Sequence, residues 1–189
     1  MRTWIGLLTF FLAMSSWAGR DEINPPGGAI EYVAYEAKGR TRLLWFASER
    51  GVSPAERHAA EELARRGVEV WQFDLAGAMF LPPVPGSLDG IGADVMQAVL
   101  RRAQDDRREL YLFAVGRAAV PVLKGLEASP ERRANLLLMH PNFYARAEAL
   151  DGADYLPFRQ LQGVRALILQ PRRSAATPWV DNQLMALAN

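Results

Sequence analysis

Residues Glu109 to Leu123 read ELYLFAVGRAAVPVL, and this stretch decides the fold. The apolar run 110–115 predicts a buried strand, because consecutive apolar positions are typical of a strand that is covered on both faces. Gly116 then separates the strand from a run of small and apolar residues that predicts a helix over 118–127. A buried strand that passes directly into a helix is typical of a parallel α/β sheet.

The sequence on either side alternates in the same way between strand and helix patterns. Ser53-Pro54-Ala55-Glu56 combines an N-cap serine, a proline at the first helical position and a glutamate three residues after the cap. It predicts a helix that ends at Gly67. Strands are predicted at 30–36, 41–47, 68–74, 110–115, 134–140 and 164–170, and helices at 53–66, 91–105, 118–127 and from Thr177 onward. This alternation predicts a three-layer α/β sandwich with a mostly parallel sheet of about six strands.

Two connections between these elements are distinctive. Lys38-Gly39-Arg40 joins the first two strands at a spacing that predicts an antiparallel hairpin with the first strand at the sheet edge. The loop 75–90, LAGAMFLPPVPGSLDG, has too many glycines and prolines for a helix or a central strand. Its apolar residues indicate either a small lid over the sheet, the more usual arrangement, or a surface that binds a partner.

The first residues form a pattern of their own. Arg2 precedes the apolar run WIGLLTFFLAM, and Ser16-Trp17-Ala18 follows as a small-x-small cleavage site. This pattern predicts a secretory signal peptide over 1–18, export and a periplasmic location. An uncleaved membrane anchor is the alternative, but the apolar run is shorter than the roughly 20 residues that a span requires. A polar leader, GRDEINPPGGA, is predicted to be flexible over 19–29.

Composition limits the classes of function. The chain has 189 residues, of which 50% are hydrophobic and 23% are charged, and this predicts one folded domain over 30–189. Loss of Arg2 with the signal peptide changes the formal net charge from +1 to zero, so charge does not indicate nucleic-acid binding. The chain has no cysteine, hence no disulfide framework. No motif indicates a metal or a cofactor.

From Ile30 to Gln170 the sequence resembles the α/β-hydrolase family. Phe73-Asp74-Leu75-Ala76-Gly77 is similar to the Asp-x-x-Gly turn of that family, and Ala114-Val115-Gly116-Arg117-Ala118 aligns with its G-x-S-x-G nucleophile elbow. Ser48-Glu49-Arg50-Gly51 stands in place of a His-Gly turn. The resemblance implies a hydrolase fold that stops before the last strand of the family.

The same resemblance implies that the catalytic triad is missing. Gly116 occupies the nucleophile position, with Ala114 and Ala118 as the small flanking residues of an elbow. No carboxylate occurs from Val164 to Val180, where the family places its acid, and the strand before the catalytic histidine has no counterpart. A degenerate member that works as a non-catalytic binding or interaction module is therefore expected.

Polar residues follow several predicted strands, and these strand ends meet at one edge of a parallel sheet. Ligand-binding candidates at this edge are Arg50, Arg117, His140 and Arg172, which together predict a small anionic ligand. Pairing with nearby carboxylates, or simple exposure to water, is the alternative role of these arginines. The alternative function is a hydrolase or esterase that uses Ser48 or Ser174 with Asp74 and His140. The partner is unknown; an envelope protein and a two-part assembly both remain open.

Overall fold

The computed structural model describes residues 18–104, 107–131, 134–148, 152–156 and 164–171. Within these residues seven strands form one sheet, and two further strands form a separate ribbon. The strands are β1 (Ala18–Ile23), β2 (Ile30–Tyr35), β3 (Thr41–Phe46), β4 (Val68–Phe73), β5 (Glu109–Val115), β6 (Asn135–Met139), β7 (Tyr144–Glu148), β8 (Gly152–Tyr155) and β9 (Arg165–Leu169). The α-helices are α1 (Pro54–Arg65), α2 (Leu75–Ala78), α3 (Ala93–Ala103) and α4 (Ala119–Glu127).

The large sheet has the order β1-β2-β4-β3-β5-β6-β9. Strands β4, β3, β5, β6 and β9 are parallel, and β1 and β2 are added to them through antiparallel pairings. The prediction of a mostly parallel α/β sheet is confirmed, and the described sheet has seven strands rather than about six. The additional strand is β1, which no strand pattern in the sequence had indicated.

Helices cover both faces of the sheet. The larger core lies between one face and helices α3 and α4, and the smaller core lies between the other face and α1. Helix α1 begins with the predicted capping box, in which Ser53 Oγ accepts from the Glu56 N–H at 3.2 Å and Glu56 Oε2 accepts from the Ser53 N–H at 2.8 Å. The three-layer arrangement therefore follows from the alternation read in the sequence.

The predicted hairpin between the first two strands is wrong. Strand β2 pairs with β4, so that Tyr32 lies opposite Phe73, and β3 lies between β4 and β5. Strand β3 is apolar on consecutive positions, so burial of both its faces favours a central place with two parallel neighbours. At Gly39 an added β-carbon would lie 1.9 Å from the Gly67 carbonyl oxygen, so the connection passes tightly against the end of α1 instead of forming a hairpin turn.

The leader predicted to be flexible contains a strand. Strand β1 pairs along its whole length with β2, and the Tyr32 hydroxyl donates to Asp21 Oδ2 at 2.7 Å. Ile23 is buried against the larger core. The local sequence AGRDEI is polar, and its strand conformation comes from pairing with β2, the next strand along the chain, rather than from an apolar pattern of its own.

The loop 75–90 also differs from its prediction. Residues Leu75–Ala78 form one turn of α-helix, α2, and Ser87–Gly90 form a 3-10 turn. Asp74 caps α2 by accepting from the Gly77 N–H at 2.8 Å. Of the six prolines and glycines of this loop, only Gly77 lies within α2, and the other five follow it without preventing the helix.

Strands β7 and β8 form the antiparallel ribbon in the segment after β6. The predicted final helix lies outside the described residues, and so does the predicted signal peptide except for Ala18, the first residue of β1. In the part of the chain that the structure describes, no helix has the length and apolar character to cross a membrane.

Candidate functional site

The turn between β5 and α4 has the geometry of an elbow. Gly116 follows the buried strand directly with a φ of +58°, a left-handed value that glycine adopts with little strain. Residues Gly116–Ala118 form a 3-10 turn that leads into α4. Ala114 and Ala118 are fully buried on either side, which lets the strand and the helix approach each other closely. The elbow predicted from AVGRA is therefore present as a backbone feature.

The loop after β3 lies against the elbow. A β-carbon built on Gly116 would lie 3.7 Å from Ser48 Cβ and 3.8 Å from Glu49 Oε2, both ordinary contact distances. Glu49 Oε2 is buried and has no hydrogen-bond partner within the described structure. A carboxylate oxygen at this place repels an anion at the elbow, which argues against the predicted anionic ligand there.

Arg117, one of the ligand-binding candidates from the sequence, is turned into the protein and is 4% exposed. Its guanidinium forms a two-pronged ion pair with Asp89, with Nε donating to Oδ1 at 2.6 Å and Nη2 donating to Oδ2. Its Nη1 donates to the side chain of Asn142 at 3.2 Å and to the carbonyl oxygen of Tyr144. Every nitrogen of this guanidinium thus has a protein partner. Arg117 joins three segments of the chain, and this role replaces the predicted contact with an anion.

Asp89 is the partner that the sequence reasoning missed. It lies in the 3-10 turn Ser87–Gly90, and its carbonyl oxygen also accepts from Lys124 Nζ on α4. An aspartate in a glycine-bounded turn is common in any sequence. No local signal connects it with an arginine that follows 28 residues later.

The alternative catalytic residues are not assembled into a triad. Ser48 Oγ accepts from the Arg50 N–H at 3.3 Å, and Asp74 caps α2. His140 is exposed with a φ of +48°, and its N–H donates to the Leu169 carbonyl oxygen at 2.9 Å. Among the hydrogen bonds of the described residues, none joins the side chains of Ser48, Asp74 and His140.

The remaining candidates give no further support to a site. The side chain of Arg50 is exposed. Arg172 and Ser174 lie outside the described residues. Across the described ranges, no group of three or more histidine, aspartate or glutamate side chains is placed to hold a metal ion.

Comparisons with known proteins place this geometry in a known fold. No family model matches the chain, and no curated protein matches it. Among solved structures, a candidate dienelactone hydrolase from Klebsiella pneumoniae is similar, with a TM-score of 0.66 and 14% identity over 91% of this chain and 80% of that one.

A dienelactone-hydrolase-like promiscuous phosphotriesterase from metagenomic libraries has a TM-score of 0.54 and 13% identity, over 90% of this chain and 78% of that one. An α/β-hydrolase fold protein from Nakamurella multipartita has a TM-score of 0.50 and 16% identity, over 72% of this chain and 45% of that one. At these identities the likeness concerns the fold. Together with the strand order and the turn between β5 and α4, the likeness shows that the chain has the α/β-hydrolase fold.

Proposed function

We propose that this protein is an exported, non-catalytic member of the α/β-hydrolase superfamily that works as a binding or interaction domain. The observation that carries the proposal is Gly116, which occupies the elbow with a φ of +58° and has no side chain to act as a nucleophile. In active members the residue at this place is held in a strained conformation so that its nucleophilic atom is exposed. Here the turn is kept and the nucleophile is absent.

The surroundings of the elbow support the same proposal. A serine or cysteine nucleophile requires a base within hydrogen-bond reach, which in turn is oriented by a third group. The carboxylate that follows β4, Asp74, is used as a helix cap, and His140 is exposed, with no side-chain hydrogen bond to the other described residues. Arg117, directly after the elbow, is used to join neighbouring segments.

A hydrolase that uses another nucleophile is the second candidate, and one observation favours it. Ser48 Cβ lies 3.7 Å from the place where a side chain at Gly116 would begin, so one hydroxyl-bearing residue borders the elbow. In this candidate Ser48 would attack an ester carbonyl and His140 would take its proton. The present hydrogen bond of Ser48 Oγ to a backbone N–H does not activate it.

Turnover of p-nitrophenyl acetate and butyrate by the purified protein tests the proposal. We expect the same rate as for a protein-free blank, and no gain on Gly116→Ser, because a base and an acid are also missing. Circular dichroism of Gly116→Ser confirms that the variant is folded. Turnover that disappears in both Ser48→Ala and His140→Ala would overturn the proposal and establish the second candidate.

Export is tested separately. Expression of the full chain in a bacterial host with two membranes, followed by cell fractionation and intact-mass measurement, should yield a periplasmic protein that begins at Gly19. A cytoplasmic protein with an intact first 18 residues would contradict the export part of the proposal.

A further inference from the structure

A cleft of about 820 Å³ lies at the end of the sheet where β2 begins and β4 ends. Its walls come from both faces of the sheet. Tyr32 and Met79 belong to the larger core, whereas Val33 packs against the smaller core next to α1. The charged residues of the lining all lie on the α1 side of the cleft: Arg20, Glu31, Arg57 and Asp74.

Strand pairing and chain order place these charges on the α1 side. Arg20 lies opposite Val33 in the β1–β2 pair, and Glu31 precedes Val33 by two residues, so the three residues share one face of the sheet. Arg57 belongs to α1 itself. Asp74 follows β4 and borders the loop that leads into α1.

These four charges are not paired with one another. Two are positive and two are negative, so this part of the cleft has no net charge. None of the four forms an ion pair with any residue that the structure describes. A ligand that carries both a positive and a negative group would complement such a lining.

Asp74 is held in one orientation. Its Oδ1 accepts from the Gly77 N–H at 2.8 Å, and β-carbons added at Gly51 and Gly77 would lie 2.7 and 2.8 Å from its Oδ2. The carboxylate is thus seated between two glycines. Its Oδ2 has no hydrogen-bond partner among the described residues, and Asp74 is only half-buried, so this oxygen can accept from a ligand.

Arg57 is held close to Asp74 by the same loop. Its Nη1 donates to the carbonyl oxygen of Val52, which directly follows Gly51, at 2.9 Å. Within the described structure this is the one hydrogen bond of the guanidinium, and Arg57 is exposed, so its other N–H groups can donate to a ligand. The two charged groups therefore lie against consecutive residues of the loop without forming an ion pair.

We infer that the charged part of this cleft binds a small zwitterion, a free α-amino acid with an apolar side chain. Its ammonium donates to Asp74 Oδ2, its carboxylate accepts from the Arg57 guanidinium, and its side chain packs against Val33 and Val52 in the lining. In an α-amino acid one carbon separates the two charged groups, which suits protein groups that lie against adjacent residues.

This inference names a ligand class for the proposed binding domain and so rests on that function, but the two fail separately. Ester turnover by the unchanged protein would remove the non-catalytic function and would leave the binding measurements below unaffected. Absence of amino-acid binding would remove this inference and would leave the result of the esterase assay unaffected.

L-Leucine is the probe, and two matched compounds each lack one of its charges. Isoamylamine is leucine without the carboxylate, and isocaproate is leucine without the ammonium. We expect leucine to bind saturably in calorimetry and to shift the NMR amide signals of Val52 and Gly77, which adjoin the two charged side chains. Each matched compound should bind at least about tenfold more weakly, because it loses one charge-assisted hydrogen bond.

Two variants that remove one charge each separate the two contacts. Arg57→Gln should bind leucine at least about tenfold more weakly and isoamylamine no more weakly than the parent. Asp74→Asn should lose leucine to the same extent and should keep its binding of isocaproate. Asparagine is as good an N-cap as aspartate, so this variant retains the cap of α2.

Matched controls remove a charge of the same sign outside the cleft. Arg66→Gln, at the other end of α1, and Asp94→Asn, in the first turn of α3, should leave leucine binding unchanged. Circular dichroism establishes that each variant is folded, and Arg57→Gln should fold in any case because Arg57 is exposed.

Three results would each overturn the inference. The first is no binding of leucine. The second is an affinity for isoamylamine or isocaproate that equals the affinity for leucine. The third is an unchanged affinity for leucine in either folded variant, Arg57→Gln or Asp74→Asn.

Discussion

Gly116 and Phe80 have nearly the same backbone conformation and opposite side chains. Their φ values are +58° and +54°. At the elbow, where the fold superfamily places a reactive side chain, the residue is a glycine. At the end of α2, where a Schellman motif favours glycine, the residue is a phenylalanine with an exposed ring.

Helix α1 provides an internal reference for this comparison. It ends with Gly67 at the corresponding position, with a φ of +91° and its N–H donating to the Ala64 carbonyl oxygen at 2.9 Å. The chain thus uses glycine where only the turn matters. At Phe80 the chain instead keeps a bulky side chain in the left-handed conformation, a strain that the change Phe80→Gly should release.

The largest expected effect tests whether the elbow now belongs to the structural framework. Arg117→Ala should lower the free energy of unfolding by about 3 kcal/mol, because it breaks a buried two-pronged ion pair and several further hydrogen bonds. Urea unfolding measures this change. Arg65→Ala breaks the exposed pair with Glu62 and is the matched control, with a loss below about 1 kcal/mol. Equal losses would refute the structural role of Arg117.

Gly116→Ala tests the cost of a side chain at the elbow. An added β-carbon has room, since its nearest neighbours would lie 3.7 and 3.8 Å away, and only the positive φ opposes it. We expect a loss of about 1–2 kcal/mol in urea unfolding. An unchanged free energy of unfolding would mean that the backbone at the elbow relaxes easily. The positive φ of Gly116 would then not explain why glycine, rather than a larger residue, occupies the elbow.

Phe80→Gly is the reciprocal change and should have the opposite sign. Relief of the strain at φ +54° should exceed the extra flexibility of glycine in the unfolded chain, for a net gain of about 0.5–1 kcal/mol. Gly67→Ala at the end of α1 should instead be destabilising. If Phe80→Gly destabilised the protein, the phenylalanine would have a structural role after all.

The smallest effect concerns how β1 is held against β2. The hydrogen bond from the Tyr32 hydroxyl, helped by the Glu22 N–H and Arg102, lowers the pKa of the Asp21 carboxyl below its usual 3.8. A lowered folded pKa contributes stability above the unfolded value, and this contribution is lost as the pH falls through the folded value.

Urea unfolding from about pH 6 to about pH 2 should therefore show a difference between the wild-type protein and Asp21→Asn that shrinks on acidification. Asp94→Asn, in the first turn of α3, is a control for a general loss of negative charge. A difference between wild-type protein and Asp21→Asn that stays constant over this range would show that Asp21 is not ionised in these contacts.

The sequence alone determined the parallel α/β architecture and the elbow. Buried strands, a capped helix and small residues around Gly116 are local signals, because each depends on neighbours within a few residues along the chain. The glycine at the position where that family places its nucleophile is also read from the sequence, and the absence of catalysis stays a prediction.

Only the tertiary structure decided the partners of these residues. The pairing of β2 with β4 and the ion pair between Asp89 and Arg117 join segments that are far apart in the sequence, and the polar strand β1 is fixed by its pairing with β2. Gln72 is a polar residue among the buried residues of β4, and the lack of a hydrogen-bond partner for its Nε2 within the described structure is visible only once the chain is folded. Side-chain direction, burial and hydrogen-bond satisfaction depend on three-dimensional neighbours, and for that reason Arg117 was predicted to face a ligand and in the folded protein contacts Asp89.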